Sequence, residues 1–180
     1  MPNPPYLLCA LVPPGSVEAE MSRLQEALFS EHGLVSAPAV PPLVPIAFVA
    51  WTESPAGLLQ ELNRSISSGW RIHLRGPAWI DRHLFARVQS DGAWETLHAR
   101  AVERGGIGPG LFPVAEGFYL GCPEAADDLR PRIRPVIPVG SFSSALLAAI
   151  RFDPAGSSPW WRELHWEIID QRPLRGRPGS

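Results

Sequence analysis

The feature that most limits the fold of this chain is a five-residue proline pattern that occurs once in each half. Residues 42–46 read PLVPI and residues 135–139 read PVIPV, so each copy has a proline, two aliphatic residues, a second proline and a β-branched residue. Proline fixes φ and has no backbone N–H, which makes the pattern unusual inside a β-sheet. Two copies at similar places predict an internal duplication with two equivalent sites.

Composition narrows the class of protein. A chain of 180 residues that is 45% hydrophobic fits one globular domain, or two small lobes with a shared core. We expect a cytoplasmic protein with no membrane contact, because no apolar run reaches the roughly 18 residues of a membrane span and the N-terminus lacks a basic signal region. The net charge of −2 does not indicate nucleic-acid binding. All 16 basic residues are arginines, so no lysine is available as a base.

Apolar periodicity and turn residues divide the chain into alternating strands and helices. The predicted elements are a strand at 6–12, a helix from 16 to the stop at Gly33, a strand at 41–51, a helix at 54–69, a hairpin of 70–75 with 84–88, a helix at 93–104, a strand at 133–142 and closing segments at 145–152 and 160–169. This order predicts an α+β fold with antiparallel sheets and helices on their outer faces. We expect residues 172–180 to be a flexible tail.

In the order and spacing of these elements the chain resembles the two-histidine (2H) phosphoesterase superfamily, which includes 2′-5′ RNA ligase-like and cyclic phosphodiesterase-like proteins. Its members look like two similar lobes, each with a strand of the form Pro-His-h-Thr/Ser-h, where h is aliphatic. The similar segments are PLVPIAFVA and RPVIPVGSF for the two motif strands, ALVPPGSVEAEMSRLQEAL for the first strand and helix, WRIHLRGPAWIDRHLFARV for the hairpin and AIRFDPAGSSPWWRELHWEI for the closing strands. The resemblance implies a single domain of two pseudo-symmetric lobes over residues 1–180, with an insertion at 105–128.

Both motifs depart from the family pattern. Leu43 and Val136 stand where the family has its histidines, and Pro45 and Pro138 stand at the hydroxyl positions. In the family, one imidazole acts as general base and the other as general acid in a metal-free attack on a 2′,3′-cyclic phosphate. None of these four side chains transfers a proton, and such catalysis is typically worth ~10²–10⁴-fold. The resemblance thus implies the fold with a degenerate site, without metal or cofactor, in a protein closer to a pseudoenzyme than to an enzyme.

Strand alternation predicts which side chains line the former cleft. Leu43, Pro45 and Ala47 share one face of the first motif strand. The matching face of the second carries Val136 and Pro138. The cleft floor is therefore expected to be apolar, and it would suit a protein partner or a second copy of the chain.

Basic side chains are predicted at the rim of this floor. Arg132 and Arg134 precede the second motif at the same parity, and the alternating strand at 70–75 carries Arg71, His73 and Arg75 on one face. One interpretation is a site for a small phosphorylated or nucleotide-like ligand. The alternative is an active, metal-independent phosphodiesterase or hydrolase centred on His73, the best single candidate for proton transfer. A third interpretation also fits: the arginines are simply solvent-exposed, and a loop packs on the apolar floor.

Three other segments are predicted to be structural. Glu163, His165 and Glu167 share a strand face, but no second histidine or cysteine lies at ligand spacing, so solvent exposure is expected rather than a metal site. The GGIGPG run at residues 105–110 lacks the lysine of a phosphate-binding loop and is predicted to be a flexible break. Cys9 lies in an apolar run and is expected to be a buried thiol.

Overall fold

The computed structural model describes residues 5–66, 69–123, 132–156 and 159–175. Within these ranges the chain forms eight strands and three helices. In chain order they are β1 (Tyr6–Val12), α1 (Gly15–His32), β2 (Val44–Val49), α2 (Ala56–Ser65), β3 (Ile72–Ile80), β4 (His83–Gln89), α3 (Ala93–Gly105), β5 (Gly117–Gly121), β6 (Ser141–Phe142), β7 (Ser144–Asp153) and β8 (His165–Arg175).

Local signals set both ends of α1. Pro14 lies at its N-terminal boundary, where a missing N–H has no cost, and Gly33 ends it with φ of 65°. The Gly33 N–H donates to the carbonyl of Phe29 at 2.9 Å, and the Leu34 N–H donates to that of Leu28 at 3.2 Å. These bonds satisfy carbonyls that the helix end leaves open, so the predicted glycine stop is confirmed.

The strands form two antiparallel sheets, with the orders β2-β1-β7-β8 and β5-β4-β3-β6. The sheets meet at β2 and β5, where the Tyr119 N–H donates to the Leu43 carbonyl at 3.4 Å. The strands thus follow the order β8-β7-β1-β2-β5-β4-β3-β6, with β8 and β6 at the two ends. The predicted α+β fold with antiparallel sheets is confirmed.

Two groups of buried side chains lie on opposite faces of the sheets. The helix-side core joins both sheets to the three helices, which contribute among others Met21, Leu28, Leu59, Leu62 and Leu97. The second group, which we call the cleft-side cluster, contains Leu8, Ala10, Val40, Leu43, Phe48, Phe85, Phe112, Tyr119, Ala148, Ile150 and Phe152. The helices therefore cover one face of each sheet, as predicted, and the cluster covers the other.

The predicted strand at residues 133–142 is wrong over most of its length. Only Ser141 and Phe142 pair with β3, and the Gly140 carbonyl accepts one further bond from the Leu74 N–H at 2.9 Å. Prolines 135 and 138 have no N–H to donate, which removes bonds that a longer strand would need. The second proline copy thus lies just outside the regular sheet.

The end of the chain also differs from the expectation. β8 begins at His165 and continues through Arg175, so residues 172–175 of the predicted flexible tail are strand. Residues 176–180 lie outside the described part of the chain. No helix among the described residues is long and apolar enough to cross a membrane.

Candidate functional site

A bulge in β2 determines which of its side chains join the cleft-side cluster. Ala47 and Pro45 oppose consecutive residues of β1, which leaves Ile46 as an extra residue. Ala47 therefore joins the helix-side core, and Phe48 joins the cleft-side cluster. The predicted shared face of Leu43, Pro45 and Ala47 is wrong at Ala47, because period-two alternation does not continue through a bulge.

An aromatic side chain fills the space in front of Phe48. Phe112 comes from the irregular segment between α3 and β5 and is 6% exposed. Its ring stacks on Tyr119 with 4.3 Å between centroids, and it meets Phe48 edge-on at 5.2 Å. Phe152 and Trp160 lie at 6.2 and 5.8 Å from the same ring. Of the predicted floor residues, Leu43 belongs to this buried cluster, which a loop of the same chain completes.

The glycine-rich run explains how this loop comes so close to β2. The Gly108 N–H donates to the Phe48 carbonyl at 3.1 Å. A Cβ added at Gly108 would lie 2.0 Å from the Val49 carbonyl oxygen, and one at Gly110 would lie 2.9 Å from the Phe48 ring. The prediction of a flexible break is therefore wrong, since these glycines permit close backbone packing.

The outer edge of β2 is closed by side chains of α3. The Trp94 indole N–H donates to the Pro45 carbonyl at 2.9 Å, and His98 Nδ1 lies 2.6 Å from the Ile46 carbonyl, which accepts its proton. The Trp94 and His98 rings stack at 5.0 Å. Edge-strand carbonyls that would otherwise be open are thus bonded. Leu43 has no exposed surface, so the first motif position is sealed.

The second motif position is open. Val136 is 89% exposed and Val139 is 100% exposed, whereas Ile137 between them is buried. Arg132 and Arg134 are also exposed. Val136 therefore does not face Leu43 across a shared apolar cleft, and the expectation of two equivalent sites is wrong.

The predicted basic face lies on β3, next to this open segment. Arg71 and Arg75 are exposed, and His73 is half-buried. Arg75 donates to Gln89 Oε1 at 2.7 and 3.2 Å. His73 pairs with Gln89 on one side and with Ser141 of β6 on the other. Of the described residues 132–142, only Gly140, Ser141 and Phe142 are thus bonded to β3, and Arg134 lies earlier in the irregular segment that leads to β6.

A groove of about 350 Å³ remains between β3, β4 and the covering loop. Apolar side chains line most of it, including Ile80 and Phe85, and Arg87 and Glu116 are its charged residues. The Glu116 carboxylate accepts a hydrogen bond from Ser90 Oγ at 2.5 Å. Arg87 extends the basic face, although the sequence analysis did not predict it. The signal for it was its alternation along the strand with the apolar residues Leu84 and Ala86.

A histidine that sequence reasoning also missed lies against the cleft-side cluster. His83 Nδ1 is 3.2 Å from the Tyr119 hydroxyl. Burial, with a contribution from Arg82, lowers the pKa of His83 to about 4, so the ring is neutral at pH 7. Burial also raises the pKa values of Tyr119 and Cys122, whose side chains hydrogen-bond each other. This group has no partner that titrates near neutrality, and it supports packing better than acid–base catalysis.

The described residues contain no group of three or more potential metal-binding side chains in reach of one ion. Glu163, His165 and Glu167 are exposed, and Glu167 pairs with Arg151 at 3.3 Å. Cys9 and Cys122 are buried free thiols, and burial raises the pKa of Cys9 to about 12. Neither thiol is therefore suited to act as a nucleophile at pH 7.

Two four-stranded antiparallel sheets with helices on their outer faces match the fold of the LigT-like 2H phosphoesterases. Solved structures with this fold include TT0787 of Thermus thermophilus, with a TM-score of 0.64 and 19% identity over 96% of this chain and 100% of that one. E. coli LigT, crystallised with 3′-AMP, gives a TM-score of 0.57 and 14% identity over 96% of this chain and 99% of that one. No protein-family model and no curated protein matches the sequence. At sequence identities below 20%, the structural similarity shows a shared fold and no more.

Proposed function

We propose that this protein is a non-catalytic member of the 2H phosphoesterase fold, which binds a small phosphorylated or nucleotide-like anion. The observation that carries the proposal is the sealing of the first motif position. Leu43 has no exposed surface, and Phe112 stacks over the cluster to which it belongs. A phosphate cannot approach that position without unpacking the cluster.

The basic face supports binding at a different place from the motif residues. Arg71, Arg75, Arg87 and Arg134 are exposed on β3, β4 and the segment next to them. Guanidinium groups bind oxyanions through two parallel hydrogen bonds. The apolar groove beside Arg87 offers a surface for a base or another apolar part of the ligand.

A thermal-shift experiment tests this proposal. E. coli LigT was crystallised with 3′-AMP, which makes 3′-AMP, with inorganic phosphate, a suitable first probe. A ligand at 100 times its Kd should stabilise the folded chain by about 2.7 kcal/mol. We expect the stabilisation to be lost in Arg71→Ala and Arg134→Ala and kept in Arg64→Ala, an exposed arginine of α2. The absence of any shift with nucleotides, phosphate or phosphorylated metabolites would reject anion binding.

The alternative function is a phosphodiesterase or hydrolase that uses His73. Its support is the position of His73 on the basic face, paired with Ser141 and beside Arg75. Incubation with 2′,3′-cyclic nucleotides and linear 2′-5′ oligonucleotides separates the two functions. We expect no turnover above buffer, and turnover that His73→Ala abolishes would favour the alternative.

A further inference from the structure

The second proline copy presents apolar side chains at the surface. Val136 and Val139 are 89% and 100% exposed, whereas Ile137 is 9% exposed. A β-strand would place Ile137 and Val139 on the same side, so the segment is not a regular strand. Proline fixes φ at positions 135 and 138, which restricts the segment before binding and lowers the entropic cost of docking.

The flanking charges indicate what this segment can dock on. Arg132 and Arg134 are exposed directly before it. Exposed valines pack on apolar or aromatic side chains, and nearby arginines favour a receiving surface that carries carboxylates. A suitable receiving surface therefore combines an exposed aromatic side chain with acidic groups.

Such a surface exists on this chain, on the β7–β8 hairpin. A cavity of about 290 Å³ is lined by Arg151, Asp153, His165, Trp166 and Glu167. Trp166 is 43% exposed, and the carboxylates of Asp153 and Glu167 lie 3.7 and 3.3 Å from Arg151. Glu163 precedes the strand and is exposed as well. We call this set the acidic tryptophan pocket.

The two surfaces do not cover each other within one molecule. β8 and β6 are the outer strands at opposite ends of the strand order, and both Val136 and Trp166 are exposed. We propose that the second proline copy of one molecule docks into the acidic tryptophan pocket of a second copy of this chain. Two such contacts around a two-fold axis give a dimer.

Sedimentation velocity over a range of protein concentrations tests this proposal. We expect the wild-type protein to associate beyond the monomer and to dissociate as salt rises, because exposed ion pairs are screened. Trp166→Ala and the double variant Arg132→Glu/Arg134→Glu should each weaken association at least about tenfold. The double variant Arg23→Glu/Arg64→Glu, on exposed arginines of α1 and α2, changes the net charge equally and should associate like the wild type.

A charge exchange makes the test specific for this pair of surfaces. Arg132→Glu/Arg134→Glu and Glu163→Arg/Glu167→Arg should each fail to self-associate, since each places like charges at both contacts. An equimolar mixture should associate again, because one of the two contacts then joins the two exchanged surfaces and the other joins the two native ones. A monomeric wild type at every concentration, or a mixture that stays monomeric, would overturn the proposal.

Arg134 belongs to both the proposed anion site and the proposed contact between copies, so the two proposals need separate readouts. Trp166→Ala should keep the thermal shift with 3′-AMP and lose association. Arg71→Ala should lose the thermal shift and keep association. Failure of either function alone can therefore be assigned to its own proposal.

Discussion

In the first proline copy Leu43 has no exposed surface, whereas Val136 at the matching position of the second copy is 89% exposed. The first copy lies in a strand that has hydrogen-bonded neighbours on both sides, β1 on one and α3 with β5 on the other. The second lies beyond the two residues of β6, at the outer edge of its sheet. Equivalent sequences thus occupy opposite environments, because the groups that bond to a strand edge come from elsewhere in the chain.

This difference shows that tertiary neighbours decide whether such a segment is buried or exposed. The first copy is buried by Phe112, the close approach of Gly108 and the α3 side chains that bond β2. The second copy has no regular strand pairing and presents Val136 and Val139 at the surface. The following changes test the comparison, from the largest expected effect to the smallest.

Removing the covering ring should have the largest effect. Phe112→Ala leaves a cavity between Tyr119, Phe48 and Phe152 and should lower the free energy of unfolding by about 3–5 kcal/mol. Denaturant titration monitored by circular dichroism measures this loss. Phe29→Ala, on a side chain that is 48% exposed, is the control and should cost under about 0.5 kcal/mol. Similar losses for both variants would mean that Phe112 does not seal the first copy.

Blocking the close approach of the loop should come next. Gly108→Ala puts a Cβ 2.0 Å from the Val49 carbonyl oxygen. Overpacking of this kind should lower the free energy of unfolding by about 3 kcal/mol, the upper part of its usual range. Gly57→Ala is the matched control, because it lies in α2 with open space around it, and it should stabilise by about 0.5–1 kcal/mol. A neutral Gly108→Ala would show that the loop is not pressed against β2.

Restoring the family histidines tests the comparison directly. Leu43→His buries an imidazole among apolar side chains and should cost about 2 kcal/mol, whereas Val136→His, at an exposed site, should cost under about 0.5 kcal/mol. The double variant should still not hydrolyse 2′,3′-cyclic nucleotides, since position 43 lies within the buried cleft-side cluster. Turnover in the double variant would contradict the burial of this site.

Lowering the pH should reduce the stability of the folded chain by the smallest amount of these changes. Burial and Arg82 lower the pKa of His83 to about 4, below its ordinary value of 6.5. Between these values the unfolded chain binds a proton that the folded chain does not, so this contribution to stability is lost as pH falls from about 6.5 to 4. His83→Gln should flatten the pH dependence of the unfolding midpoint. An unchanged slope in His83→Gln would contradict the assignment.

Local patterns predicted most of the architecture. Gly33 marks the end of α1, and the alternation of Ile72 and Leu74 with polar residues marks β3. The side chains that matter most at the site were harder to find. Phe112 lies in an irregular segment with no periodicity, and no local signal predicts which strand it will cover.

The amino-acid order was enough to indicate the class of fold, because the order and spacing of its elements depend on residue identity and short-range patterns. The burial of Leu43 and the exposure of Val136 depended on tertiary contacts. Trp94 and His98 reach β2 from about fifty residues away, and β6 lies at a sheet edge with no further described strand beyond it. Burial and backbone hydrogen bonding depend on such distant partners, so two pentapeptides with the same proline pattern became a buried strand and an exposed surface segment.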